Sequence, residues 1–172
     1  LFDTPCCIAR VVRGVARERV MTVEATAPGP QREGSFRWVV LQGDPRKIVI
    51  TPLTANASRV KLTVSYHGAF RPADPDGPPS AVLRHRVDIG CFARHGTVHS
   101  APSIVSFYYL PNEERVYRDD GQILSVDYAN AQYRYADPAL TCEKGWKDLY
   151  AYDGQGRLTG WYRTRPGGAP ER

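Results

Sequence analysis

Three histidines and a cysteine gather between Val82 and Leu110: His85, Cys91, His95 and His99. Imidazole and thiolate are the common ligands of zinc, and histidine is the common general base. Zinc needs three or four such groups converging on one point. His95 and His99 lie four positions apart, a spacing that shares a face only on a helix, and Gly96 and the β-branched surroundings argue for strand and turn instead. No His-Glu-x-x-His is present, so no metal ligand set and no cofactor is expected. On paper a nucleophile, imidazole and carboxylate can be drawn from Ser100, Ser103 or Cys91 with His95 or His99 and Asp88, yet no Gly-x-Ser-x-Gly elbow presents a serine. The doublets Glu113-Glu114 and Asp119-Asp120 point apart in an extended chain and make no facing acid–base pair. Gly154-Gln155-Gly156 is not followed by the Gly-Lys-Ser/Thr of a phosphate loop. No catalytic residue is assigned.

Aromatic residues offer a different chemistry. Tyrosines and tryptophans crowd the last third of the chain, and rings of this kind anchor proteins and sugars. The expected ligand-binding set is Tyr117, Arg118, Tyr128, Tyr133, Tyr135, Trp146, Tyr152 and Trp161. The competing use of the same rings is a second small core. Asp119, Asp120, Asp127, Asp137, Glu143, Asp148 and Asp153 interleave with them, which argues against nucleic acid as the partner.

The elements that must position these residues read as strands. Leu83, His85, Val87, Ile89 and Cys91 share one parity and Arg84, Arg86 and Asp88 the other. After the break at Arg94-His95-Gly96-Thr97, apolar residues resume from Ile104 to Leu110, which predicts an antiparallel neighbour. Val60, Leu62, Val64 and Tyr66 alternate with Lys61, Thr63 and Ser65, predicting a sheet with one face buried and one wet. Further strands are expected around Ile8 to Val12 at an edge, Val20 to Ala25, Phe36 to Leu41 and Lys47 to Thr51. Between Gly68 and Ser80 a loop carries four of the 14 prolines, which keep it out of a sheet. A short helix is expected from Asp137 to Trp146, with Pro138 in its first turn.

Two segments 35 positions apart repeat. Tyr117-Arg118-Asp119-Asp120-Gly121-Gln122-Ile123 aligns with Tyr152-Asp153-Gly154-Gln155-Gly156-Arg157-Leu158. Each predicts a strand, a polar turn with glycine near its end, and a returning strand. The second copy, continuing Thr159-Gly160-Trp161, resembles the tyrosine–aspartate (YD or RHS) repeat of bacterial surface and secreted proteins. That resemblance implies stacked β-hairpins. The first copy departs from it at Arg118, Gln122 and Ile123, and two copies are fewer than the three or more units a stack needs.

The 172 residues allow one domain with a small extension, and a formal charge of +5 is a mild bias. No apolar run nears the roughly 18 residues of a membrane span, so no integral membrane segment is expected. Four cysteines, with Cys6 and Cys7 adjacent, permit one or two disulfide bonds, and such bonds are expected together with a secreted or cell-surface location. The expected fold is all-β: an antiparallel β-sandwich, fibronectin/immunoglobulin-like, over residues 1–110, a Tyr-rich β-hairpin extension over 111–165, and a flexible tail at 166–172. The expected work is non-catalytic, contact with a protein or carbohydrate surface or with the rest of a larger parent chain. The alternative is a hydrolase or metal-dependent enzyme using His85, Cys91, His95 and His99.

Overall fold

The computed structural model describes residues 3–27, 34–72, 82–128 and 145–172. They form thirteen strands: β1 Asp3–Thr4, β2 Cys7–Val12, β3 Glu18–Glu24, β4 Ser35–Gln42, β5 Ile48–Pro52, β6 Arg59–Ser65, β7 Arg86–His95, β8 Val98–His99, β9 Ser103–Tyr109, β10 Glu114–Tyr117, β11 Ile123–Asp127, β12 Lys147–Tyr152 and β13 Leu158–Thr164. Among the described residues the only helical turn is the 3₁₀ turn Pro45–Lys47. The expected helix at Asp137–Trp146 falls largely outside the described residues, as do Tyr133, Tyr135 and Cys142.

The strands assemble into three sheets, in the orders β1-β2-β9-β7-β4 with β8 on β7, β3-β6-β5, and β10-β11-β12-β13. The pairs β1–β2, β4–β7, β7–β8, β7–β9, β3–β6, β5–β6, β10–β11, β11–β12 and β12–β13 are antiparallel. The chain divides into two compact units. One comprises residues 1–11 and 18–108, the other residues 12–17 and 109–172.

The first unit holds two sheets and is consistent with a general β-sandwich. Val60, Leu62 and Val64 of β6 are fully buried, as the alternation predicts. On β7 the pattern is denser. Val87, Ile89 and Cys91 are buried, and so are Asp88 and Gly90 of the opposite parity. The strand lies between β9 and β4, with Ile89 opposite Val105 on one side and Val40 on the other. Gly90 leaves room for its neighbours: a side chain there would meet Leu41 Cδ1 at 2.8 Å and the Phe92 ring at 3.1 Å, and the Leu41 side chain would have to shift. Asp88 is satisfied in place: its Oδ1 accepts from Ser106 Oγ at 2.6 Å and its Oδ2 from Arg86 Nε at 2.8 Å. The strand from Ile8 to Val12 lies next to the edge of its sheet: β9 flanks it on one side, and on the other the two-residue β1 pairs only with Cys7 and Ile8.

The expected disulfides are a correction. Cys6, Cys7 and Cys91 are free thiols. Strand order explains it: β9 lies between β2 and β7, so Cys7 and Cys91 are separated by two strand spacings, about 9.5 Å, beyond the ~7 Å limit for bridged Cα atoms. Neighbouring residues such as Cys6 and Cys7 have Cα atoms about 3.8 Å apart, below the usual disulfide range.

The second unit is a four-stranded meander with its own core of Ile123, Val126 and Tyr128, against which Val15, Tyr117, Trp146 and Tyr150 pack. Its two hairpin turns are the sequence repeat. In one, Arg118 N–H donates to Gln122 O at 2.8 Å and Gly121 N–H to Arg118 O at 3.0 Å. In the other, Asp153 N–H donates to Arg157 O at 2.9 Å and Gly156 N–H to Asp153 O at 3.0 Å. The glycines take φ of +89° and +76°, the left-handed region that excludes most side chains. The tail makes contacts of its own. Glu171 and Arg163 exchange backbone hydrogen bonds of 2.7 and 2.8 Å, and Arg165 pairs with the Glu171 carboxylate, so the last residues return along β13.

Candidate functional site

The four residues that suggested metal or acid–base chemistry do not meet. His85 precedes β7, Cys91 is within it and His95 ends it. At about 3.3 Å per residue in a strand, His85 and Cys91 lie about 20 Å apart and Cys91 and His95 about 13 Å. His99 pairs with Arg94, and His95 with Val98, so the two exposed imidazoles stand on opposite faces of the β7–β8 ribbon. Among the described residues no group of three or more His, Cys, Asp or Glu could hold a metal ion.

Each of the other groups has a structural partner or is shielded. Burial pushes the Cys91 thiol up to about 11, which suppresses the thiolate a nucleophile needs. Burial also lowers both His67 and His85, favouring neutral imidazole. His67 Nδ1 donates to Ser65 O at 2.7 Å while Nε2 accepts from Asp44 N–H at 3.1 Å, which fixes one tautomer. Ser100 Oγ donates to Ala101 O and accepts from Ala93 N–H. Asp88, with its Ser106 and Arg86 partners, lies about 23 Å along β7 from His95.

Of the six described members of the aromatic set, one is buried, three (Tyr117, Trp146 and Tyr152) are half-buried and two are exposed. Tyr128 is buried, and Trp146 meets it edge-on with ring centroids 6.1 Å apart. The Arg163 guanidinium lies 4.1 Å from the Trp146 ring centroid and pairs with buried Asp148. Tyr117 and Tyr152 give their hydroxyls to Val15 O and Ile123 O, each at 2.9 Å. Of the described members only Arg118 and Trp161 are exposed. Arg118 bonds its neighbour Gln122, and Trp161 is 50% exposed beside exposed Leu158 and Tyr162.

Two features escaped sequence reasoning. The first is a buried ion pair between Glu113 and Arg115, whose side chains are 2% and 1% exposed. Arg115 also donates to Gly14 O at 2.7 Å and Val12 O at 3.1 Å. The available signal was parity: Glu113, Arg115 and Tyr117 alternate with Glu114 and Val116, so in a strand the pair shares the face of Tyr117.

The second is a groove of about 600 Å³ in the first unit, along β4 and bounded by β5, β7 and β8. Phe36, Arg37, Trp38, Ile50, Arg94 and His99 line it. Its wall is held by the turn after β5. Trp38 Nε1 donates to Ala57 O at 2.9 Å and Phe36 N–H to Asn56 O at 2.8 Å. Ala57 itself has φ +54°, a conformation alanine seldom takes, and the Asn56 side chain and the Thr54–Ser58 hydroxyl pair brace it. Sequence gave no warning of the groove because its residues come from four separate strands.

Among the described residues no helix is long and apolar enough to cross a membrane. No family model, curated protein or solved structure matches the chain.

Proposed function

We propose that this chain is a non-catalytic β-module that contacts a protein or a carbohydrate and spaces that contact within a larger assembly. One observation carries the reading: among the described residues, the candidate nucleophiles and proton-transfer groups around β7 are buried, hydrogen-bonded into the fold, or isolated from one another, while exposed side chains sit on β-sheets. Cys91, His67, His85 and Asp88 belong to the first kinds, and His95 and His99 to the last. Rigid sheets with exposed rings and arginines suit recognition, because little ordering entropy is lost on contact. The first unit is read as a fibronectin/immunoglobulin-like sandwich and the second as a Tyr-rich hairpin extension with kinship to tyrosine–aspartate repeats. The matching turn hydrogen bonds at the 35-residue offset support the second assignment. A secreted or cell-surface location goes with this reading.

The test pairs two screens of the purified chain. Binding to arrays of oligosaccharides and of extracellular protein domains is expected, with weakened signal for Trp161→Ala or for groove variants. Turnover of ester, peptide or glycoside substrates is not. Hydrolysis that disappears in the His95→Ala/His99→Ala variant while its melting curve is unchanged would overturn the proposal.

A further inference from the structure

The groove beside β4 carries a specific charge pattern. Ser35 pairs with Arg94 across β4–β7, and Arg94 pairs with His99 across β7–β8. Arg37 is two positions from Ser35. Strand parity therefore places Ser35, Arg37, Arg94 and His99 on one sheet face. Phe36 and Trp38 have the other parity, which puts them on the opposite face of β4, and both residues also line the groove. No Asp or Glu lines it. Among the described residues neither Arg37, Arg94 nor His99 has a carboxylate partner; the Arg94 Nε bonds only the Gly96 carbonyl at 2.8 Å. Arg10, Arg46, Arg86, Arg115, Arg157, Arg163 and Arg165 each have an acidic partner, whereas Arg17, Arg19, Arg59, Arg84, Arg118 and Arg172, like the groove arginines, have none among the described residues; what sets Arg37 and Arg94 apart is that they share one sheet face and one groove.

We infer that this groove recognises an acidic saccharide, a sugar carrying carboxylate or sulfate groups. The claim rests on the carbohydrate branch of the proposed function and narrows it. Guanidinium forks bind planar and tetrahedral oxyanions through two parallel hydrogen bonds. Ring faces such as those of Phe36 and Trp38 accept the apolar C–H face of a sugar. A volume near 600 Å³ lies within the range of small-ligand clefts, about 300–1,000 Å³. The bond from Trp38 to Ala57, and the braced turn behind it, hold one wall in place before binding. Ser35 on the cationic face can donate to a sugar hydroxyl.

The experiment is calorimetric titration of the whole chain with four probes: an oligogalacturonate, a sulfated oligosaccharide of similar length, a neutral oligogalactose, and a polyphosphate of matched charge. The two acidic sugars should bind and the neutral sugar should bind at least tenfold more weakly. The carboxylated and sulfated arms distinguish the source of the oxyanion. Arg37→Ala and Arg94→Ala should each weaken acidic-sugar binding roughly tenfold, the expected loss of a charge-assisted hydrogen bond. Phe36→Leu, which keeps an apolar side chain, should weaken sugar more than polyphosphate, and Arg19→Ala on β3 should change neither. Neutral and acidic sugars bound equally, with the arginine variants unaffected, would overturn the inference and leave the carbohydrate reading standing. Polyphosphate bound as tightly as sugar, with no effect of Phe36→Leu, would reduce the groove to a general cationic patch and overturn it too. Failure of every sugar, alongside a protein partner found on the array, would remove both the inference and the carbohydrate branch.

Discussion

Removing Arg115 is the sharpest test of how the second unit is held. The guanidinium is 1% exposed: it pairs with Glu113, donates to the carbonyls of Gly14 at 2.7 Å and Val12 at 3.1 Å, and hydrogen-bonds the Tyr117 side chain. Arg115→Ala leaves a carboxylate that is 2% exposed without its counter-charge, and truncation of one member of a buried pair costs about 3–5 kcal/mol. Two carbonyls lose their donor at the same time, each worth roughly 1 kcal/mol if water reaches it and more if it does not. The total, about 5–7 kcal/mol, is of the order of a small domain's whole stability, about 5–15 kcal/mol. Urea denaturation followed by tryptophan emission reads it, because Trp146 and Trp161 are both in this unit. Two companions keep the test decisive if the alanine variant fails to fold. Arg115→Lys keeps the charge but not the fork, and should lose about 1–3 kcal/mol. Arg115→Met with Glu113→Leu removes both charges, and should recover at least 2 kcal/mol relative to Arg115→Ala, leaving only the lost bonds to the carbonyls and to Tyr117. In the lysine and double variants, amide exchange should rise selectively over residues 12–17, the segment those bonds hold. A loss below 1 kcal/mol for Arg115→Ala, or a double variant no better than the single, would refute the reasoning.

Other outcomes follow from the same contacts. His67 and His85 are held below the ordinary imidazole value by burial, so below about pH 6.5 the unfolded chain binds protons that the folded chain does not; the stability is complete above that pH and falls as pH drops, by up to about 1.4 kcal/mol per pH unit for each group. Denaturation midpoints at pH 7.5 and 5.5 measure this, and a flat profile contradicts it. Thiol titration at pH 8 should find exposed Cys6 reactive and buried Cys91 silent until denaturant is added, with no mass change on reduction attributable to a bridge among Cys6, Cys7 and Cys91. Gly156→Ala should destabilise the second unit by more than about 1 kcal/mol, and by more than Gly121→Ala, because both need positive φ but the new methyl at 156 meets Gln122 Nε2 at 3.0 Å, whereas at 121 the nearest atom is Arg17 Cδ at 3.8 Å. Tyr152→Phe should cost about 1 kcal/mol and Tyr117→Phe at least as much, since each loses a hydroxyl-to-carbonyl bond of 2.9 Å and Tyr117 also loses its hydrogen bond with Arg115; a Tyr117→Phe variant less destabilised than Tyr152→Phe contradicts this.

Alternation made much of the fold legible. Where one sheet face is wet, as on β6, polar and apolar positions separate and Val60, Leu62 and Val64 identify themselves. The same logic is weaker on β7, which is covered on both faces: Asp88 reads as a solvent position until Ser106 and Arg86 are seen to satisfy it. Glu113 and Arg115 mislead for the same reason, since a paired charge looks identical in sequence to a solvated one. The aromatic set was visible as composition but not as use, because a tyrosine facing a ligand and a tyrosine bonding a distant carbonyl differ only in their partners. The groove could not be read at all. Its cations and rings come from strands whose neighbour relations depend on sheet order, and no local period encodes sheet order.

The hydrogen bonds give the 35-residue repeat a physical meaning that residue matching alone lacks. Tyr152 of the second hairpin bonds the carbonyl of Ile123, the first residue returning from the earlier turn, and Gln122 Nε2 reaches across to Gly156 O at 2.9 Å. One copy earlier, Tyr117 bonds the carbonyl of Val15, and Arg17 reaches the carbonyls of Arg118 and Asp119 at 3.4 and 3.3 Å. Residues 12–17 therefore stand to the first hairpin as the first hairpin stands to the second. A segment with no turn motif of its own fills the position that a preceding copy would hold, and Arg115 fixes it there through Val12 and Gly14. This explains why those residues group with the second unit although the chain on either side of them, residues 1–11 and 18–108, belongs to the first. A stacked hairpin exposes tyrosine-seeking carbonyls at its leading side, and a borrowed extended segment satisfies the same chemistry as another hairpin, since what the tyrosine reads is a carbonyl at the right height and not a sequence.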